Sequence, residues 1–188
     1  MECNFHSVPR LALGVFLAAS SVGFLGGATL ERLTLEEMVD KSTAIVRGRI
    51  GGSNTFAKGS MLYTSFQVQV LEQWKGQPLA TIAVASPGGV SGAVRQYYPG
   101  VPRLVEGREY VLFLWTGPSG VTQVIGFTQG VFALPKNASG EVMAVRTPST
   151  ETLLDSRTGH VVRDERLSMR LRDLSARIST HLGRGSSR

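Results

Sequence analysis

Cysteine is all but missing from this chain, its single instance being Cys3. From residue 29 onward no disulfide and no thiolate metal site can form, so an architecture stapled by either is excluded. Histidine is nearly as scarce, with only His6, His160 and His181. Residues 29–145 thus lack both of the side chains that most often do acid–base or nucleophilic work. No His-Glu-x-x-His pair, Cys-x-x-Cys pair, Walker lysine or Asp-rich calcium loop occurs either. These absences predict no catalytic residue, no metal and no cofactor. Charged residues make up 18% and hydrophobic residues 42%, which suits a folded domain.

Glycine is abundant by contrast. The 22 glycines and 8 prolines are spread along the chain and favour a turn-rich β architecture over a helical one. Residues 1–28 have the layout of a secretory leader. Arg10 supplies the basic start, Leu11–Leu25 the apolar run, and Gly26-Gly27-Ala28 a small-residue cleavage pattern. Cleavage is expected between Ala28 and Thr29, leaving a secreted or periplasmic chain with no membrane span. An exported domain without disulfides fits a bacterial envelope and relies on its apolar core.

The net charge of +6 is unevenly placed. Residues 29–145 carry ten basic and eight acidic side chains, whereas residues 146–188 carry nine and five. The basic tail is consistent with an anionic surface, such as phospholipid or acidic glycan, although a solvated face is the commoner reason for such a surplus. No nucleic-acid partner is expected.

Val105 to Trp115 is the stretch around which the remainder is organised. A charged Gly turn, Glu106-Gly107-Arg108, leads into Tyr110-Val111-Leu112-Phe113-Leu114-Trp115, a run without polar alternation. Such a run predicts a strand buried on both faces at the centre of a sheet. Before it, Thr34-Leu35-Glu36-Glu37 forms a capping box that opens a short helix to about Ser42, with Leu33 and Met38 at the staple positions. Strands are expected at 44–50, 62–74, 81–85, 121–127, 131–134 and 142–145, with a loop at 51–59. Thr147-Pro148-Ser149-Thr150 reads as a linker. Leu167, Leu171, Leu174, Ile178 and Leu182 then fall at spacings of 4, 3, 4 and 4, one apolar stripe of a helix expected to dock on the domain.

Ser86 to Gly107 is predicted to be a long Pro/Gly-punctuated loop, a length usually tied to function or disorder. Arg95, Tyr97 and Tyr98 within it are the candidate ligand-binding residues. Tyrosine offers a broad apolar face with a polar tip, and arginine a planar donor for carboxylate or phosphate. One tyrosine plugging the domain is the bland alternative, and two adjacent tyrosines cannot share one pocket. A rival reading makes the loop the wall of a hydrolase site. Gly89-Val90-Ser91-Gly92 approaches a nucleophile elbow without its second spaced glycine, and Ser91, His160 and Asp155 form a triad only on paper. A third reading is a structural envelope component.

Four segments carry a resemblance: Ala44-Ile45-Val46-Arg47-Gly48-Arg49-Ile50, Tyr63-Thr64, Trp74-Lys75-Gly76, and Gly107-Arg108-Glu109-Tyr110-Val111-Leu112-Phe113-Leu114. Over residues 30–146 their order resembles an uncharacterised family of exported bacterial proteins. More distantly it is similar to the netrin-like module of tissue metalloproteinase inhibitors, an OB-type barrel. Those inhibitors act through an N-terminal cysteine, and Thr29 stands at the expected mature terminus here. The resemblance implies location and fold.

The resulting expectation is a mainly β protein: a signal peptide at 1–28, a small antiparallel OB-like β-barrel of five or six strands at 29–146, and a basic linker with an amphipathic helix at 147–188. Its expected role is a non-catalytic binding module of the cell envelope, with an envelope protein or an anionic surface as partner.

Overall fold

A computed structural model describes residues 29–185; the leader and its cleavage site lie outside the described residues. In chain order the elements are β1 (Thr29–Glu31), α1 (Leu35–Lys41), β2 (Ala44–Lys58), β3 (Met61–Lys75), β4 (Thr81–Pro87), β5 (Gly89–Ser91), β6 (Val94–Gln96) and β7 (Glu109–Thr116). After them come β8 (Thr122–Val124), a 3-10 turn (Phe127–Gly130), β9 (Val131–Ala133), β10 (Met143–Arg146), β11 (Thr152–Leu154), β12 (Val161–Val162), β13 (Leu167–Arg170) and α2 (Leu171–Gly185). The protein is mainly β, and its large sheet is antiparallel.

That sheet runs β13-β10-β9-β7-β2-β3-β4, so β7 has three strands on each side. Tyr110 to Leu114 are all buried, as a run without polar alternation requires. Alternation sends Val111 and Phe113 to one face and Tyr110, Leu112 and Leu114 to the other. The first face meets Leu35, Met38 and Val39 of α1 together with Leu174 and Ile178 of α2. The second meets Val46 and Ile50 of β2, Val68 of β3 and Val84 of β4. Gly48 sits at a register shift of the β2–β3 pairing, where a Cβ would collide with Val68 Cγ1 and lie 2.9 Å from Gln69 O.

α1 begins with the predicted capping box: Glu37 N–H donates to Thr34 Oγ1 at 3.1 Å, and Thr34 N–H donates to Glu37 Oε2 at 2.8 Å. α2 docks through the expected stripe, with Leu174 and Ile178 fully buried and Leu171 and Leu182 packed beside them.

Four local expectations are corrected. Residues 51–58 continue β2 through a register shift between Ile50 and Ser53, because Phe56 stacks on Tyr63 across the hairpin at 5.5 Å. Residues 86–107 contain the β5–β6 hairpin. Leu167 belongs to β13, which pairs with β10, and α2 starts only at Leu171. The stretch expected as a linker leads into β11, which pairs in parallel with β1, and into β12.

The described strands close no barrel. β8 pairs with β7, and the sheet curls until β4 comes near β8 without a hydrogen-bonded pairing between them. No helix of the described residues is long and apolar enough to cross a membrane.

Candidate functional site

The segment following β4 is held by side chains rather than by a continuous ladder. Gln96 Oε1 accepts from Leu62 N–H at 2.6 Å, and its Nε2 donates to Ser60 O at 2.8 Å. Thr64 Oγ1 donates to Gly88 O at 2.9 Å. Gly88 takes φ +97, and a Cβ on it would lie 2.9 Å from Gln96 O, so only glycine lets the hairpin fold back this tightly. The β5–β6 hairpin is thus clamped to the start of β3.

Tyr97 leaves this clamp 77% exposed, whereas Tyr98 is half-buried with its hydroxyl 3.4 Å from Gln96 Oε1. Both line a cavity of about 440 Å³ together with Phe66, Pro87, Leu104 and Arg103. Arg95 is not part of that lining; it is exposed on β6 opposite Val90. The guanidinium beside the tyrosines is that of Arg103, which makes no ion pair or hydrogen bond among the described residues. Sequence reasoning singled out the tyrosines and missed Arg103, which has no local signal beyond its place after Pro102.

Ser91, His160 and Asp155 are not joined into a triad by any hydrogen bond between their side chains among the described residues. Asp155 Oδ1 accepts from the N–H groups of Arg157 and Thr158 and from Thr158 Oγ1, which holds its carboxyl below the usual range. The acids of α1 are likewise committed. Glu37 serves the cap, Glu36 pairs with Arg177 at 3.2 Å, and Asp40 Oδ1 lies 2.8 Å from His181 Nε2. These contacts tie α1 to α2. Among the described residues no cluster of three His, Cys, Asp or Glu could hold a metal.

Much of the tail's positive charge is also spent locally. Arg170 and Arg172 reach Glu141 at 3.2 and 3.6 Å, and Arg146 pairs with Asp164. That last pair is almost wholly buried, the two side chains being 4% and 2% exposed. Burial pushes the Arg146 guanidinium down from its ordinary range, against the opposing pull of Asp164.

A second opening lies where β4 approaches β8. Its volume is about 550 Å³, and Trp115, 45% exposed, lines it with Ala85, Val124 and Phe127. Phe127 has φ +53, an uncommon conformation for a residue with a side chain. No family model, curated protein or solved structure matches this chain.

Proposed function

We propose that the chain is an exported, non-catalytic binding module of the bacterial envelope, in which an OB-like barrel carries a protein-contact surface on residues 86–107. The fold part of this reading is supported by strand order. From β4 through β3, β2 and β7 to β8, each step is antiparallel, so four reversals leave β4 and β8 running in the same direction. That is the order of an OB-type barrel whose last, parallel seam is left unpaired. Export is supported by the leader pattern of residues 1–28 and by the resemblance to exported bacterial proteins.

The single observation that carries the binding reading is the position of Tyr97. A tyrosine ring held 77% exposed beside an apolar cavity, on a hairpin clamped from beneath, is a preorganised contact group. Tyr98 and the free Arg103 adjoin it, and aromatic and arginine side chains are those most often central to interfaces.

Capture from an envelope extract by the purified mature protein tests this, with variants as the control. Tyr97→Ser should keep the wild-type melting temperature and lose the captured partner. Tyr98→Ser should lower the melting temperature, because Tyr98 is half-buried. Unchanged capture by Tyr97→Ser would overturn the assignment of the surface, as would an equal and large loss of stability in both variants.

A further inference from the structure

A different cavity, of about 650 Å³, opens on the far side of the segment Pro102–Val105. Its floor is one cross-strand row. Tyr110 of β7 lies opposite Ala133 of β9, which lies opposite Val145 of β10. One wall is the turn that precedes β7. That wall is fixed by backbone hydrogen bonds, from Gly107 N–H to Ile50 O at 2.7 Å and from Ile50 N–H to Arg108 O at 2.9 Å. Val105 N–H also donates to the Tyr110 hydroxyl at 3.2 Å, so floor and wall are held to each other.

The charge around this cavity is one-sided. Arg103 and Arg108 line it, both are exposed, and neither guanidinium makes an ion pair or hydrogen bond among the described residues. Glu109 is the one acid of the lining, and both of its oxygens are already engaged. Oε2 accepts from Arg47 at 2.8 Å and Oε1 from Arg49 at 2.7 Å. Thr128 also lines the cavity, and its Oγ1 is buried with no hydrogen-bond partner among the described residues. That oxygen is turned away from the open space, so Thr128 shapes the wall and offers a ligand no contact.

An apolar floor and two unspent guanidiniums define a ligand with two ends. We infer that this cavity is a binding site for an amphipathic anion, an apolar chain or ring ending in a carboxylate or phosphate. The volume is that of a small-molecule site. Planar guanidinium groups select carboxylate and phosphate oxygens over other polar ends. The site shares Arg103 with the surface around Tyr97 but not the tyrosine itself, and it does not rest on that surface being a protein contact. It lies across the Pro102–Val105 segment from Tyr97, and its ligand needs no partner protein. A free fatty acid and a phospholipid headgroup share the chemistry.

Calorimetric titration with decanoate, decyl phosphate and decyltrimethylammonium tests the inference, followed by sedimentation with phosphatidylglycerol vesicles. The two anions should bind and the cation should not. Arg103→Gln and Arg108→Gln should each weaken the anions about tenfold, the usual effect of losing one charge-assisted hydrogen bond. Both arginines are exposed, so melting temperatures should hold. Ala133→Trp, which fills the floor, should abolish binding, whereas Tyr97→Ser should leave it intact even if it loses partner capture. Arginine-dependent binding of the soluble anions alone identifies a free ligand, and arginine-dependent sedimentation with vesicles identifies a lipid headgroup. Equal binding of the cation, or anion affinities indifferent to both arginine variants, would overturn the site.

Discussion

Gln129 Oε1 accepts a hydrogen bond from the Leu33 backbone N–H at 2.8 Å, across 96 residues of chain. The same side chain donates from Nε2 to Glu31 O at 2.9 Å, and Gln129 itself has no exposed surface. One buried amide therefore satisfies both a donor and an acceptor of the strap between β1 and α1. Leu33, next to it, is part of the helix-side core.

Replacing Gln129 with leucine keeps most of the volume and removes both hydrogen bonds. Leaving the buried Leu33 N–H without a partner should cost about 1–3 kcal/mol, with a smaller addition from the half-exposed Glu31 carbonyl. Urea denaturation should show the midpoint falling at unchanged slope. A variant as stable as wild type would mean that water replaces the amide.

The buried pair Arg146–Asp164 makes a second prediction. Arg146 Nε and Nη1 have no partner among the described residues, while Asp164 Oδ2 also accepts from Ser149 N–H at 2.8 Å. Asp164→Ala would strand a buried guanidinium, a change that typically costs about 3–5 kcal/mol. The double variant Arg146→Met with Asp164→Leu should regain most of that loss, because the charge is removed along with its partner. A double variant no better than the single one would show that the carboxylate's bond to Ser149 carries the stability instead.

Acid supplies the third test. Hydrogen bonds from Arg49 and then Arg47 hold the Glu109 carboxyl below its ordinary value of 4.5. Thr34 does the same for Glu37 through the cap. A carboxyl with a depressed folded pKa contributes stability that is fully present above its unfolded pKa and lost as pH falls through the folded one. Thermal stability should thus be flat at neutral pH and decline below about pH 4.5, where protonation sets in. Glu109→Gln should melt lower at pH 7 and show a shallower acid decline in a pH series of melting curves. An acid limb as steep as that of wild type would assign the decline to other carboxyls.

Some of this was legible in the sequence because single segments carried it. Tyr110–Leu114 had no polar residue to offer to water, so its place in the middle of the sheet followed from composition. The cap at Thr34 and Glu37 and the stripe through Leu174 and Ile178 are equally local. Leu167 misled for a physical reason. With Met169 and Leu171 it also fits a period of two, and pairing with β10 decides between strand and helix. Gly51-Gly52-Ser53-Asn54 looked like a loop, yet β3 holds it in the ladder beyond a register shift. That one of Tyr97 and Tyr98 is exposed was foreseeable, since two adjacent tyrosines do not fit one pocket; which of them it is was not. Gln129, Arg103 and Arg108 gave no such sign. Each acquires its meaning only from residues far away in the chain.

The helix-side core draws on both ends of the described chain. Leu33 and Met38 share one cluster with Leu174 and Ile178, and between them lie β2, β7 and β9. During synthesis from the N-terminal side, Val111 and Phe113 emerge after α1 and before α2, the two helices that cover them. α1 can cover part of their face as soon as the sheet forms, but the part that Leu174 and Ile178 bury stays open to water until α2 arrives.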